Sequence, residues 1–353
     1  MGGAGSFLNE QMVLGGDIGG TKTNLALLER NRGSLRIVAT ESYPSREHQS
    51  LEEILDKFMR AHPGRIDVAC FGVAGPVRNG RSETTNLPWV VDSGALASRL
   101  HVKLVGLLND LEANAWGIGA LEPKDFYVLK DGMADPTGNA AIISAGTGLG
   151  EAGLYWDGTA RRPIPSEGGH CDFAPRDELQ IELLRYLSAQ FGHVSIERVL
   201  SGPGLYNLYR FLRDIKEIEE PAWLAEEMKN GDPAAIISRL ALEGKSVLCE
   251  RALNLFVEIY GSEAGNLALK FMATAGVYLG GGIAPKILEK LTGPTFHNAF
   301  VDKGRLRPLL KAIPVQVILN DKAALLGAAR WMLNQKPARA RPRTRTAVRR
   351  RRK

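Results

Sequence analysis

Five side chains that can accept or move a proton stand beside glycines or at the end of apolar runs: Asp17, Asp110, Glu167, His170 and Glu197. Asp17 lies in Gly16-Asp17-Ile18-Gly19-Gly20-Thr21, between two apolar segments. Glycines let backbone N–H groups come close to phosphate oxygens, and the Thr21 hydroxyl adds a donor. A carboxylate would repel phosphate directly, so Asp17 is expected to act through Mg²⁺ or its water. A plain hairpin is the ordinary alternative for a single loop of this kind. Two further clusters, Gly146-Thr147-Gly148 and Gly280-Gly281-Gly282, also follow apolar runs, and turn chemistry alone does not account for three.

Spacing separates the phosphate-binding options. A P-loop needs a Gly-Lys pair with a glycine five positions earlier, and none occurs. The letters of a dinucleotide loop are met by Gly148-Leu149-Gly150-Glu151-Ala152-Gly153, but that loop must open a helix. Here a strand and the turn Trp156-Asp157-Gly158 follow instead, which excludes it. A loop between antiparallel strands, gripping phosphate from two sides of a cleft, remains.

Asn109-Asp110 ends an apolar run, where open α/β sheets put site residues. The plain reading of Asp110 is a helix N-cap. Glu167-Gly168-Gly169-His170 sets a carboxylate and an imidazole around two small residues, so both can reach one ligand. Vicinal hydroxyls suit such a pair, and a solvated loop is the alternative. Glu197, after Ser195, reads as an acid favoured by a helix N-terminus.

These residues need strands to hold them. Apolar runs predict strands at 12–17, 23–29 and 35–41 in an antiparallel meander, then at 66–73 and 102–108. Helical spacing marks 51–61 and 112–119. The second half repeats the scheme: strands at 140–144 and 151–155, helices at 178–190, 205–213 and 247–268, strands at 274–279 and 315–319, and a closing helix at 323–333. The expected fold is α/β, with two βββαβαβα lobes and a cleft between them. Residues 12–119 plus 320–335 would form a small lobe and 120–319 a large one, after a flexible start at 1–11.

The chain has 353 residues, 44% hydrophobic and 24% charged, which suits two globular domains. Its formal charge of +6 is concentrated at one end. Residues 336–353, KPARARPRTRTAVRRRRK, hold ten basic residues and no acid; removing these from 45 leaves 35 against 39 acids, or −4. That segment reads as a disordered basic tail, able to contact polyanions. Cys70, Cys171 and Cys249 are scattered, without metal-ligand spacing, which points to a reducing, cytoplasmic compartment. No apolar run is long enough for a transmembrane helix.

Six motifs then occur in the order found in one family: GDIGGTKTNLAL (16–27), LLNDLEANAWGI (107–118), SAGTGLG (144–150), SEGGHCDFAP (166–175), ERVLSGPGLYNLYR (197–210) and GGGIAPK (280–286). From about residue 12 to 333 the chain resembles the bacterial glucokinases of the actin-like, ribonuclease H-like sugar kinase superfamily. It is also similar to the related ROK sugar kinases, but lacks their cysteine-rich zinc motif.

The resemblance implies ATP-dependent phosphorylation of D-glucose at its 6-hydroxyl, with Mg²⁺, and a homodimer. Asp110 becomes the general base. Asn109, Glu167, His170 and Glu197, with Asn86, become sugar contacts. Residues 16–21 and 146–148 take the phosphates, and Gly281 and Gly282 lie against adenosine. Another hexose, an N-acetylated amino sugar or polyphosphate as donor stay open. A sugar-responsive regulator on the same fold would need a helix-turn-helix ahead of the first strand, for which there is no room.

Overall fold

A computed structural model describes residues 11–31, 34–84 and 87–335. The basic tail, Asn86 and residues 1–10 lie outside the described residues. Two sheets dominate, and each begins with a meander whose first strand is apolar. In the first, β1 (Gln11–Ile18), β2 (Lys22–Asn31) and β3 (Ser34–Pro44) run antiparallel. Gln11, expected in the flexible start, already pairs with Arg30. Helix α1 (Leu51–Ala61) follows, then β4 (Val68–Val73). A small sheet of β5 (Val77–Arg78), β6 (Arg81–Glu83) and β7 (Val90–Asp92) leads into α2 (Ser93–Leu100). Strand β8 (Val105–Asn109) and helix α3 (Asp110–Ile118) end this half.

The second half opens with an edge strand, β9 (Phe126–Lys130), and then repeats the plan. Strands β10 (Ala140–Ala145), β11 (Leu149–Trp156) and β12 (Arg161–Pro165) form the meander. Next come α4 (Glu178–Phe191), α5 (Gly202–Asp214), α6 (Ala222–Asn230), α7 (Pro233–Leu242) and α8 (Val247–Phe271). Strand β13 (Gly276–Gly280), helices α9 (Leu288–Leu291), α10 (Pro294–Val301) and α11 (Arg307–Ala312), strand β14 (Val315–Ile318) and helix α12 (Ala323–Asn334) complete the chain.

The sheet orders are β3-β2-β1-β4-β8 and β12-β11-β10-β13-β14-β9. In each, the first strand pairs antiparallel with the second and parallel with the strand that follows the next helical segment. The duplicated core expected from the two glycine turns is therefore present, with β9 added at one edge.

Local chemistry explains the helices. In α1, Leu51, Ile54, Leu55 and Phe58 are buried on one face and the Ser50 hydroxyl caps the Glu53 N–H. Each of those side chains contributes about 1.5–3 kcal/mol by burial. Helix α8 is buried around most of its circumference and forms the spine of the larger core. Helix α12 packs on β1, β2 and β4 and crosses α3. Among the described residues, no helix is long and apolar enough to cross a membrane.

Candidate active site

Strands β1, β4 and β8 are parallel and in register, with Asp17 beside Gly72 and Ile18 beside Val73, which in turn faces Asn109. Their carboxyl ends therefore bring Asp17 and Asp110 to the same edge of the first sheet. Gly72 makes the approach possible: a Cβ there would lie 2.8 Å from the Ala113 Cβ and 3.6 Å from the Asp110 Cα. Burial first, and then the Asp110 charge, push the Asp17 carboxyl up to about 6, against a hydrogen bond from Asn24 Nδ2 at 3.4 Å. Burial also raises the Asp110 pKa, and the charge of Glu167 adds to it, while the Leu111 N–H donated at 2.9 Å opposes the shift. Glu167 belongs to the second half of the chain, so this carboxylate cluster spans both halves.

The plain reading of Asp110 as a helix cap does not hold. Asn109 is the cap: its Oδ1 accepts from Leu111 N–H at 3.0 Å and Glu112 N–H at 3.4 Å, and its Nδ2 donates to the Gly75 carbonyl at 3.3 Å. Asp110 follows as the first helical residue, and its Oδ1 takes the Leu111 N–H at 2.9 Å. Asn109 is thus committed to the cap, to the Gly75 carbonyl and to the Asp110 carboxylate beside it.

Hydrogen-bond accounting narrows the candidate phosphate donors. In the first turn, Gly19 N–H donates to the Lys22 carbonyl at 2.9 Å, and Ile18 is a core side chain, 1% exposed. Gly20 and Thr21 keep N–H groups unused within the turn, and Thr21 is exposed. In the second turn, Gly146 N–H donates to the Gly148 carbonyl at 2.8 Å, and Leu149 N–H donates to Glu197 Oε2 at 2.9 Å. Thr147 and Gly148 remain as donors. Of the glycines expected to contact phosphate, Gly19 and Gly146 thus shape the turns and do not offer N–H groups.

The third cluster adjoins the second. Gly281 has φ +79° and sits against the Ala145 carbonyl, where a Cβ would come within 2.3 Å. Around Gly282 a Cβ would meet nothing within 4 Å, so the backbone there is open to a flat ligand.

On the remaining side, His170 N–H donates to the Glu167 carbonyl at 3.0 Å, closing a 3₁₀ turn with both side chains exposed. The next residues are zipped onto the Glu197 segment: Phe173 N–H donates to Val194 at 2.9 Å and Ile196 N–H to Cys171 at 2.8 Å. Glu197 lies in a 3₁₀ turn, Ile196–Arg198, and not in the first turn of an α-helix; α5 begins later, capped by Ser201.

Two residues matter that the motifs did not mark. The buried Ser45 donates its hydroxyl to the Gly19 carbonyl at 2.7 Å and its N–H to the Thr21 carbonyl at 3.0 Å, while Thr23 Oγ1 lies 2.9 Å from the Ser45 hydroxyl. It clamps the first glycine turn from behind. Glu151, buried beneath the 166–170 loop, is the other. A serine after a strand-ending proline carries only a weak turn signal. Glu151 had one signal, a carboxylate inside an otherwise apolar strand.

A family model described as Glucokinase matches residues 14–335. The chain belongs to the glucokinase family. A glucokinase from a Nostoc species is 43% identical over 334 residues, covering 90% of this chain and 98% of that one. The crystal structure of a glucokinase from an Antarctic psychrotroph superposes with a TM-score of 0.81 at 31% identity, covering 93% of this chain and all of the other. A ROK-family glucokinase from Streptomyces griseus, solved with glucose and AMPPNP, shares the fold at TM-score 0.64 and 21% identity, over 91% of this chain and 98% of that one. The two-sheet architecture is thus the actin-like sugar kinase fold, and the chain is an ATP-dependent hexose kinase by family.

Proposed function

We propose that the protein transfers the γ-phosphoryl group of ATP to the 6-hydroxyl of D-glucose. The observation that carries this reading is the position of Asp110. Its carboxylate opens α3, with Asp17 on the glycine-turn side and Glu167 on the other. A base between a phosphate grip and a set of hydroxyl-binding groups is what phosphorylation of an alcohol needs.

Glu167, His170 and Glu197 orient the sugar hydroxyls, with Asn109 and Asn86 as further contacts. Asp110 takes the proton of the 6-hydroxyl. That oxygen forms the new P–O bond as the bond from the γ-phosphorus to the bridging oxygen of ADP breaks. A carboxylate raised by burial holds the proton more firmly than an ordinary one, which favours this step near neutral pH. The N–H groups of Gly20, Thr21, Thr147 and Gly148 cradle the terminal phosphates, and the open backbone at Gly281 and Gly282 takes the adenosine.

Asp17 and Asp110 concentrate negative charge among oxygen donors, a chemistry that fits Mg²⁺. Asp17 would hold the ion through its water, and the ion, when bound, neutralises charge on the β- and γ-phosphates.

Replacing Asp110 by Ala should lower kcat by about 10²–10⁴-fold or more while glucose still binds in a calorimetric titration. Near-normal turnover would remove Asp110 from the role. A coupled assay over hexoses, N-acetylated amino sugars, ATP and polyphosphate fixes substrate and donor.

A further inference from the structure

We infer that Glu151 is a positioning residue for the sugar loop, acting as a neutral carboxylic acid that is hydrogen-bonded to Glu263 and sets the depth of Gly168, and through it the placement of Glu167 and His170. The inference rests on the reading of that loop as the sugar contact.

Glu151 is 1% exposed, in the middle of β11, where its cross-strand neighbour is Ile143. A charge cannot be left there unpaired. The acid lies close enough to Glu263 on α8 for the two carboxyl groups to interact. Glu263 is itself committed as the anion: its Oε1 accepts from Lys270 Nζ at 3.0 Å and its Oε2 from Asn266 Nδ2 at 2.8 Å. Two carboxyl groups buried side by side, with one half-exposed ammonium against them, avoid a net negative charge only if one carboxyl keeps its proton. Glu151, with no lysine of its own and with Oε1 lacking a hydrogen-bond partner, is the one that keeps it. Burial, and then the Glu263 charge, accordingly hold its pKa well above the usual carboxylate range, with Lys270 opposing.

The other side of Glu151 faces the loop. A Cβ on Gly168 would fall 2.2 Å from Glu151 Oε2 and 3.1 Å from its Cβ, so the loop backbone rests directly on this side chain. The Ser166 hydroxyl donates to the Glu151 carbonyl at 2.8 Å and accepts from Gly168 N–H at 3.1 Å. Gly169 packs on the neighbouring Leu149 carbonyl, where a Cβ would come within 2.1 Å. Residues 166–169 are thus laid down on β11 at successive points, and Glu151 fixes the middle one. Glu167 and His170 flank it on either side in the turn.

The charged groups around Glu151 decide what its ionisation would do. From α8 it faces Glu263 and Lys270; beyond Glu263, Lys303 is held by Asn266 and Ser262. From the loop the uncharged Ser166 and Gly168 lie against it, and from β10 its cross-strand neighbour is the apolar Ile143. Loss of the proton would set a second anion against Glu263 and break the hydrogen bond between them. The loop above it would lift, weakening glucose binding at alkaline pH without touching the nucleotide turns.

The test is steady-state kinetics of the full chain from about pH 6.5 to 9.5, with glucose and MgATP varied in turn. The KM for glucose should rise at least about threefold between pH 7 and 9 in the wild type, with the KM for ATP steady. Glu151→Gln keeps the shape and a donor towards Glu263 but cannot ionise, and should abolish that rise. Glu151→Ala should raise the glucose KM about tenfold at neutral pH while changing kcat and the ATP KM much less. An alkaline rise that persists in Glu151→Gln overturns the role of Glu151, as does an Ala variant in which both KM values move together. If Glu151→Ala does not fold, the Gln variant decides alone. Wild-type protein that phosphorylates no hexose would overturn the functional reading itself.

Discussion

The Glu197 carboxylate accepts a hydrogen bond from the Leu149 backbone N–H at 2.9 Å, joining the proposed sugar contact to the shoulder of the second glycine turn. The same oxygen closes over Gly148, where a Cβ would come within 2.6 Å. A residue assigned to one substrate is therefore built into the loop for the other. A charge-assisted bond of this kind contributes about 1.5–3 kcal/mol. Glu197→Ala should raise the KM for glucose and for ATP together, each about tenfold. If only the glucose KM moves, the contact with Leu149 has no part in ordering the turn.

Asp17 gives a stability prediction with a definite sign. Its folded-state pKa is raised to about 6 from 3.8, so the native protein holds a proton that the unfolded chain has released. The stabilisation is fully present below about pH 4 and is lost as the pH rises through about 6. At neutral pH the buried charge costs about 1–3 kcal/mol. Asp17→Asn should melt at a higher temperature than wild type at pH 7, with the difference vanishing near pH 4, and should lose activity. Calorimetric melts at both pH values check it; an equal gain at each would mean that ionisation is not the cause.

Ser45 offers a test of the first turn. Removing its hydroxyl leaves the Gly19 carbonyl without its donor and Thr23 without its partner, at a cost of about 1–2 kcal/mol. Ser45→Ala should raise the ATP KM about threefold to tenfold and leave the glucose KM alone. A uniform loss of kcat with both KM values unchanged would contradict a clamp on the phosphate turn.

The crossing of α3 and α12 controls where Asp110 sits. A Cβ on Gly327 would lie 1.7 Å from the Ala113 carbonyl and 2.6 Å from Gly117 N. Gly327→Ala must push the helices apart, an overpacking of about 1–3 kcal/mol or more. Thermal melts should show the loss. Variant protein that still folds should have a reduced kcat, because α3 carries Asp110 at its first turn; full activity would show that the helix can shift without moving the base.

The legible parts of the chain were those whose signal is local. Helix α1 is bounded as the helical spacing of its four apolar residues predicts. The paired meanders follow from glycine turns between apolar runs, and the Trp156-Asp157-Gly158 hairpin from its turn residues, with Gly158 at φ +92°. The short, mixed-polarity strands β5 to β7 escaped, while α2, and β12 with its two prolines and two arginines, were implied by the βββαβαβα order without bounds. Helix α5 begins at Gly202, ahead of the expected 205, because Ser201 caps it and a proline in its first turn needs no donor.

By itself, the order of residues determined the duplicated α/β plan, the glycine turns and the acids and imidazole beside them, because each is encoded by neighbours a few positions apart. Which N–H groups stay unpaired at the turns, that Asn109 and not Asp110 caps α3, and that Glu151 shares a proton with Glu263 were decided only when distant segments packed together. Hydrogen-bond partners and burial are properties of the assembled chain: a carboxylate has the same formula everywhere, but its proton affinity is set by what folding brings beside it.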